Sequence, residues 1–413
     1  METKKGEEYL EKPDIVVVGG GPCGSYTAYT AAKLGAKVVV CEDHKEIGTP
    51  DHCAGHLNIS SLKQLGISVP KAALENEIKG ANIYSPSSKK FVLRCQSPVT
   101  YVVNRELFDK HLAEAAIDAG AEYRFDSRVK SLLFDSGYVK GVELNGNERL
   151  EANAVVDAEG CSSAILRQTG LTGLRSSMVV RGIQADVDKV EGLEDDMVEV
   201  YMGRKVAPDF FAWIIPRNDG TAKVGLATST GNPRQYLRRF MEKHVVASKK
   251  LQKSKIIGVS GHPIPLAGPI PKTYTNGFLA VGDAAGQVKA TTGGGVVFAI
   301  TCAKVAGEVA SQAVKVKDFS ERFLSLYQQR WKKLAGFELS AMLRMRRMIN
   351  SLSDKKLDNI VGLCNRLGID KTLERFGDVD FQGRSLFPML RNAGTLSVVG
   401  YFLFSWLTSP TRQ

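Results

Sequence analysis

Three glycine-bearing stretches carry the first chemical signal. Residues 14–42 read "DIVVVGGGPCGSYTAYTAAKLGAKVVVCE", in which Gly19, Gly21 and Gly24 fit GxGxxG and Glu42 stands 23 residues after Gly19. The first glycine of such a turn permits a tight bend. The second lets backbone N–H groups approach a pyrophosphate, and the third lets helix pack closely on strand. The N-terminus of the following helix adds partial positive charge for phosphates. A carboxylate at the strand end, Glu42, suits a ribose 2′-OH better than a 2′-phosphate. The second stretch is "VVDAEG", with Asp157, Glu159 and Gly160. The third, "GDAAGQVKATTGGGVVF" (282–298), sets Asp283 ahead of Gly293, Gly294 and Gly295 and an apolar segment opening at Val296. The pattern points to dinucleotide binding.

The elements that must position these residues follow from periodicity. Ile15–Val18 and Lys37–Cys41 are apolar runs that suit buried parallel strands. Between them Ser25–Leu34 is a small-residue helix ended by Gly35. Residues 101–125 give a strand, then Arg105 in "NRELFD", then an amphipathic helix. A hairpin is expected near "NGN" (145–147), and 152–166 read as strand, glycine turn and helix start. Alternation over 176–230, with a turn at "NDG" (218–220), predicts an antiparallel sheet. Residues 234–256 read as one basic helix, and 296 to about 350 as mostly helical. The fold class expected is α/β. A discontinuous Rossmann-type domain (1–80, 100–175, 257–330) would carry an inserted antiparallel-sheet substrate domain (81–99, 176–256). A C-terminal helical region would cover 331–413.

Composition narrows the function classes. The 413 residues carry a net charge of +11, which suits an acidic redox protein, anionic lipid head groups or nucleic acid; of these, nucleic acid is not the expected partner. Seven cysteines, at 23, 41, 53, 95, 161, 302 and 364, show no CxxC and no metal-ligand spacing, so neither a cluster nor zinc is expected. The first residues, "METKKGEEYLEKPD", have no apolar core and are not expected to be a signal peptide. No run of 18 apolar residues is seen, so no transmembrane helix is expected. A cytoplasmic protein is the expectation. The apolar "LSVVGYFLFSWL" (396–407) and the basic "RMRRM" (344–348) are candidates for peripheral contact with a membrane face.

In this order the motifs resemble flavoproteins built like p-hydroxybenzoate hydroxylase. The resemblance implies FAD, with its ADP part on the early glycines, its ribitol on Asp283 and a further contact from Arg105. It departs at Glu159–Gly160, where that group has Asp–Gly. Two more pieces, "DHCAGH" (51–56) and "PDFFAWIIP" (208–216), resemble the geranylgeranyl reductases, which saturate isoprenoid chains of archaeal membrane lipids. That family's cysteine falls on Cys53, with Gly55 two residues on. Its PxxYxWxFP pattern falls on Pro208, Phe211, Trp213, Ile215 and Pro216, with Tyr replaced by Phe211 and Phe by Ile215.

The resemblance implies a reduced flavin giving hydride to an isolated alkene while a proton adds to the other carbon. Cys53, Gly55 and His56 form the candidate catalytic set. Gly19, Gly21, Pro22, Cys23, Gly24, Glu42, Cys53, Ala54, Arg105, Gly160, Asp283, Gly293, Gly294, Gly295 and Val296 form the cofactor set. The triplet is expected to leave room for the flavin ring and to aim free N–H groups at it. Phe211, Trp213 and Ile215 form the substrate wall, with Phe210, Ala212 and Ile214 on the opposite face of an alternating strand. The implied substrate is an isoprenoid phospholipid. Electrons would come from an external donor, an acidic ferredoxin or NAD(P)H, since no second GxGxxG is present. A flavin monooxygenase or halogenase, a quinone-linked flavoprotein and a non-redox prenyl binder or cyclase stay open as alternatives.

Overall fold

The computed structural model describes residues 12–378 and 380–409; residues 1–11, with most of the charged N-terminal segment read above, lie outside them. Four β-branched or apolar strands build the centre of a six-stranded sheet. Ile15–Val18 lies between Val38–Cys41 and Ala154–Asp157, all parallel, and every side chain of the three is buried. Phe278–Ala280 extends the parallel set beyond Ala154–Asp157, and Glu122–Arg124 closes the other edge. Burial on both faces explains why these strands are continuous apolar runs. The turns after Val18, Asp157 and Ala280 therefore open at the same end of the sheet, where ligands of such sheets bind.

The face of that sheet is covered by two helices of small residues, Pro22–Lys33 and Val296–Val316. Small side chains let them approach closely: a Cβ on Gly307 would stand 2.7 Å from the Thr27 carbonyl oxygen. Among the described residues, Val296–Val316 is the one helix long and apolar enough to cross a membrane, a length the sequence reading passed over. It is a core helix here, with 72% of its apolar window buried.

A second sheet has seven strands, ordered Ile256–Pro265, Val179–Val187, Ala222–Thr228, Phe211–Pro216, Met197–Met202, Gly80–Tyr84, Lys90–Arg94. All neighbours run antiparallel except Met197–Met202 with Gly80–Tyr84. Val179 pairs with Pro265 and Val187 with Ile256, so this sheet runs past the boundary expected at 256. The expected basic helix over 234–256 is two helices, Pro233–Lys243 and Ala247–Leu251. His244 divides them, its Nδ1 accepting the N–H groups of Val246 and Ala247 at 3.3 and 3.2 Å. Helices from Glu321 to Leu407 form the C-terminal part.

Candidate active site

The first glycine turn is built as the motif requires. A Cβ on Gly24 would stand 1.9 Å from the Gly19 carbonyl oxygen, so this helix can approach its strand only through glycine. At Gly21 a Cβ would meet no atom of the described residues within 4 Å, so the middle of the turn faces open space. That space belongs to one cavity of about 1330 Å³, larger than a single small ligand needs. Glu42 lies at its edge. One carboxylate oxygen accepts the Gly20 N–H at 2.7 Å; the other accepts from His44 Nδ1 at 2.6 Å. An open, glycine-walled turn with an acid beside it fits the adenosine and pyrophosphate of FAD.

The same cavity is lined by Gly19, Pro22, Cys23, Cys53, Ala54, His56, Arg105, Gly160, Asp283, the triplet Gly293–Gly295, Val296, Phe211, Trp213 and Ile215. Two of the candidate residues are not in its wall. Gly24 is packed against its own turn. Gly55 has φ +70°, and a Cβ there would stand 2.1 Å from the Val103 carbonyl oxygen. Gly55 bends the loop that presents Cys53; it does not face the cavity.

Cys53 sits between two sets of polar groups. Its Sγ accepts the Gly55 N–H at 3.5 Å, and its N–H donates to Asp51 Oδ1 at 3.1 Å. Arg105 is next to it, bound through Nε and Nη2 to Asp109 at 2.9 and 2.8 Å. Burial pushes the Arg105 guanidinium down, but Asp109 and Cys53 more than offset that and leave it above its ordinary value. Gln184 joins this loop to the aromatic strand: it donates to the Cys53 carbonyl at 3.5 Å and accepts from Trp213 Nε1 at 3.2 Å. His56 Nε2 meets Thr100 Oγ1 at 2.5 Å. Burial, with Lys289 nearby, pushes His56 down to about 4, so it is neutral at neutral pH.

Asp283 lies at the cavity wall, where burial raises its carboxyl above the usual range and Cys161 and Arg105 oppose that rise. Cys161 Sγ donates to it at 3.4 Å. Glu159, the departure from Asp–Gly, serves as a helix cap: it accepts the N–H groups of Ala164, Ile165 and Leu166 at 2.8, 2.9 and 3.0 Å. The longer side chain reaches the first turn of that helix while Gly160 stays in the cavity wall.

The triplet departs from expectation in two ways. Gly293 N–H is not free; it donates to the Lys289 carbonyl at 2.8 Å. The chain's own packing also crowds the glycines, and Gly293 has φ +72°, where a side chain is strained. Cβ atoms at 293, 294 and 295 would meet Ile264 at 3.1 Å, Lys289 at 2.7 Å and Asp283 at 3.1 Å. Gly295 precedes Val296–Val316, whose first N–H groups have no intrahelical partner.

Phe210 does not lie on the opposite face from Phe211. The strand begins only at Phe211, and Asp209 has φ +60°, so alternation does not reach back to 210. Phe210 stacks on Phe211 at 4.2 Å and lines the cavity, while Ala212 and Ile214 point into the other core.

Sequence reasoning missed several polar residues around this cavity. Lys223 is fully buried under the Cys53 loop, 3.1 Å from Glu75 and 3.9 Å from Asp51. A lone charge in the apolar strand "AKVGLAT" was its signal. His262 stacks on His52 at 3.9 Å, and burial, with His52 and Arg105 beside it, pushes it down to about 4. Lys289 and Asp380 form a buried pair at 2.5 Å, and Asp380 also accepts from Ser61 Oγ at 2.5 Å. No local pattern links positions 91 apart.

A family model described as lycopene cyclase protein matches residues 14–360. Digeranylgeranylglycerophospholipid reductase 2 of Methanothermobacter thermautotrophicus is 37% identical over 85% of this chain and 91% of its own. Digeranylgeranylglycerophospholipid reductase of Methanocaldococcus jannaschii is 38% identical over 84% and 88%. A crystal structure of a geranylgeranyl bacteriochlorophyll reductase-like protein from Thermoplasma acidophilum superposes with a TM-score of 0.85 at 28% identity, over 95% of this chain and 99% of that one. The flavin-dependent brominase Bmp2, at 18% identity and a TM-score of 0.72 over 95% of this chain and 98% of its own, shares the fold. The chain therefore belongs to the digeranylgeranylglycerophospholipid reductases, within the wider family that the lycopene cyclase model describes.

Proposed function

We propose that this protein is an FAD-dependent reductase that saturates isolated C=C bonds in the geranylgeranyl chains of archaeal-type phospholipids. The observation that carries the reading is the continuous cavity that runs from the glycine turn of the parallel sheet to the aromatic strand of the antiparallel sheet. The homologues' names supply the substrate class. When bound, FAD supplies a two-electron hydride donor.

The chain's residues have the remaining tasks. The Gly19–Gly24 turn and Glu42 hold the adenosine end; Asp283 and the start of Val296–Val316 hold the other. The first turn of that helix favours negative charge at its N-terminus. Phe210, Phe211, Trp213 and Ile215 give an apolar wall along which a prenyl chain can lie. Burial contributes about 0.8 kcal/mol per CH₂, so a few isoprene units suffice for binding. An unpolarised alkene must be held in line with the hydride donor, and the Trp213–Gln184–Cys53 linkage fixes wall and loop relative to each other. Cys53 is the residue we assign to proton delivery or to holding the proton donor; His56, neutral and bonded to Thr100, stands beside the same cavity.

We also propose docking on the membrane that holds the lipid. Ala393–Leu407 is turned inside out: Thr395 and Ser405 are buried, while Phe404 and Leu407 are 62% and 72% exposed. Lys356 reaches inward to the Ser405 carbonyl at 2.7 Å. Apolar side chains facing outward, with Arg391 exposed just before this helix and Arg344 and Arg347 exposed on Phe337–Ser351, a helix in contact with it, suit an anionic lipid surface. The charge of +11 supports an acidic redox protein as electron donor.

Anaerobic incubation of the purified protein with dithionite and a geranylgeranylated phospholipid, followed by mass measurement, tests the reading. Gains in steps of two hydrogens are expected. A rearranged lipid of unchanged mass would favour a cyclase or isomerase, the reading that the lycopene cyclase match supports. Unchanged lipid would refute both.

A further inference from the structure

We propose that Arg346 is a positioning residue for this site, holding the turn that precedes the glycine triplet at a fixed distance from the Phe210–Phe211 wall. The inference rests on the reading of the cavity given above. Arg346 comes from "RMRRM", which the sequence suggested as a membrane-facing patch. The structure divides that patch: Arg344 and Arg347 are exposed, and Arg346 is 3% exposed within the protein.

Its contacts close a triangle. Arg346 Nε donates to the Ala290 carbonyl at 2.9 Å. Its guanidinium carbon lies 4.4 Å from the centroid of the Phe210 ring. The edge of that ring lies against the triplet, 3.2 Å from where a Gly293 Cβ would be. The helix Phe337–Ser351 thus touches the turn and the wall through one side chain. The residues on either side of Ala290 are tied to the same C-terminal region, Lys289 to Asp380 at 2.5 Å and Thr291 Oγ1 to Gln382 Oε1 at 2.8 Å. Three consecutive residues of the turn are therefore each bonded to elements some 50 to 90 positions later.

A guanidinium is a poor choice for simple packing here. Burial costs it solvation and lowers it to about 10, which still leaves it charged at neutral pH. Among the described residues its Nη2 has no hydrogen-bond partner. An apolar side chain of similar volume would fill the space without that cost. What a flat, cationic fork adds is simultaneous reach to a carbonyl in its plane and an aromatic ring beneath its face, which lysine cannot reproduce.

The test compares the FAD-loaded wild type with Arg346→Met, Arg346→Lys, Phe210→Leu and the Arg346→Met/Phe210→Leu double variant. Arg346→Met is expected to lower kcat for lipid reduction about 10- to 100-fold, with KM changed less than about threefold, as misplacement of reacting groups does. The visible absorption bands of the bound flavin should shift in the same variant. Arg346→Lys should recover part of both effects, and the loss in the double variant should be clearly smaller than the product of the two single losses. A folded Arg346→Met protein with kcat within about twofold of wild type and an unchanged flavin spectrum would overturn the proposal. So would multiplying effects in the double variant. Should Arg346→Met fail to fold, an unaltered kcat and spectrum in Arg346→Lys would overturn it equally. A wild type that leaves the lipid unreduced would refute the reductase reading, and the flavin spectrum would still judge Arg346.

Discussion

Val296–Val316 and Ala393–Leu407 are the two most apolar helices described in the molecule, and their surroundings are opposite. The first packs its small residues against Pro22–Lys33 and hides them. The second turns Thr395 and Ser405 inward and leaves Leu396, Leu403, Phe404, Trp406 and Leu407 to the outside. Residue size separates the two. Alanine, glycine and valine allow close helix contact, and Gly307 marks where it is closest. Bulky Phe, Leu and Trp side chains on every side of a short helix cannot all be packed by one neighbour. An apolar helix in this chain is thus either a core element or a surface for another apolar phase, and composition alone does not distinguish them.

The largest expected effect falls on the buried helix. Gly307→Val would drive methyl groups into the Thr27 carbonyl and Thr30, and should destabilise the fold by about 2–3 kcal/mol. Thermal or denaturant unfolding would measure this, together with loss of bound flavin. Next is the outer helix. Replacing Phe404, Trp406 and Leu407 by serine should weaken binding to anionic-lipid vesicles at least about tenfold, because each bulky side chain is worth about 1.5–3 kcal/mol when buried. The same variant should unfold within about 0.5 kcal/mol of wild type, as exposed positions do. Equal loss of stability in both variants would erase the distinction between the helices.

Cys53→Ser should lower kcat while sparing lipid binding, with an expected loss of about 10²–10⁴-fold if the thiol delivers the proton. Loss in KM alone would reduce Cys53 to a packing role. The smallest effect is in pH. His56 faces Thr100, Lys289 and Asp380, and His262 faces His52 and Arg105; both are held near 4, below the ordinary histidine value of 6.5. Below 6.5 the unfolded chain takes up protons that the folded chain refuses. The stability these two provide is therefore complete above about pH 6.5 and lost as pH falls toward 4. His56→Gln with His262→Gln should flatten that acid limb, measured as the unfolding midpoint against pH.

The parallel-sheet half was legible because its signals are local. A GxGxxG turn, the acid at Cys41–Glu42 and the strand Ala154–Asp157 are each set by fewer than a dozen neighbouring residues. "CAG" at 53–55 and "FAWIIP" at 211–216 could be read by resemblance, and the structure brings both to one cavity. What sequence could not give is pairing at long range. Asp380 and Lys289, Arg346 and Ala290, and Lys223 and Glu75 come from separate elements. Nothing in "RMRRM" tells which arginine points inward. Phe210 was assigned to the wrong face because alternation was extended past the start of the strand. The spacing of the glycine triplet shows it in the cavity wall, but not that Ile264, Lys289 and Asp283 crowd it from the protein's own side.

The central claim is that this cavity passes electron pairs to isolated double bonds. Reoxidation of the reduced protein under strict anaerobiosis tests it most directly, with flavin absorbance followed after mixing with lipid. A digeranylgeranyl phospholipid should restore the oxidised spectrum, with one flavin turned over per pair of hydrogens gained, and its fully saturated counterpart should leave the flavin reduced. A flavin that stays reduced with the unsaturated lipid, or that reoxidises equally with the saturated one, would contradict the account.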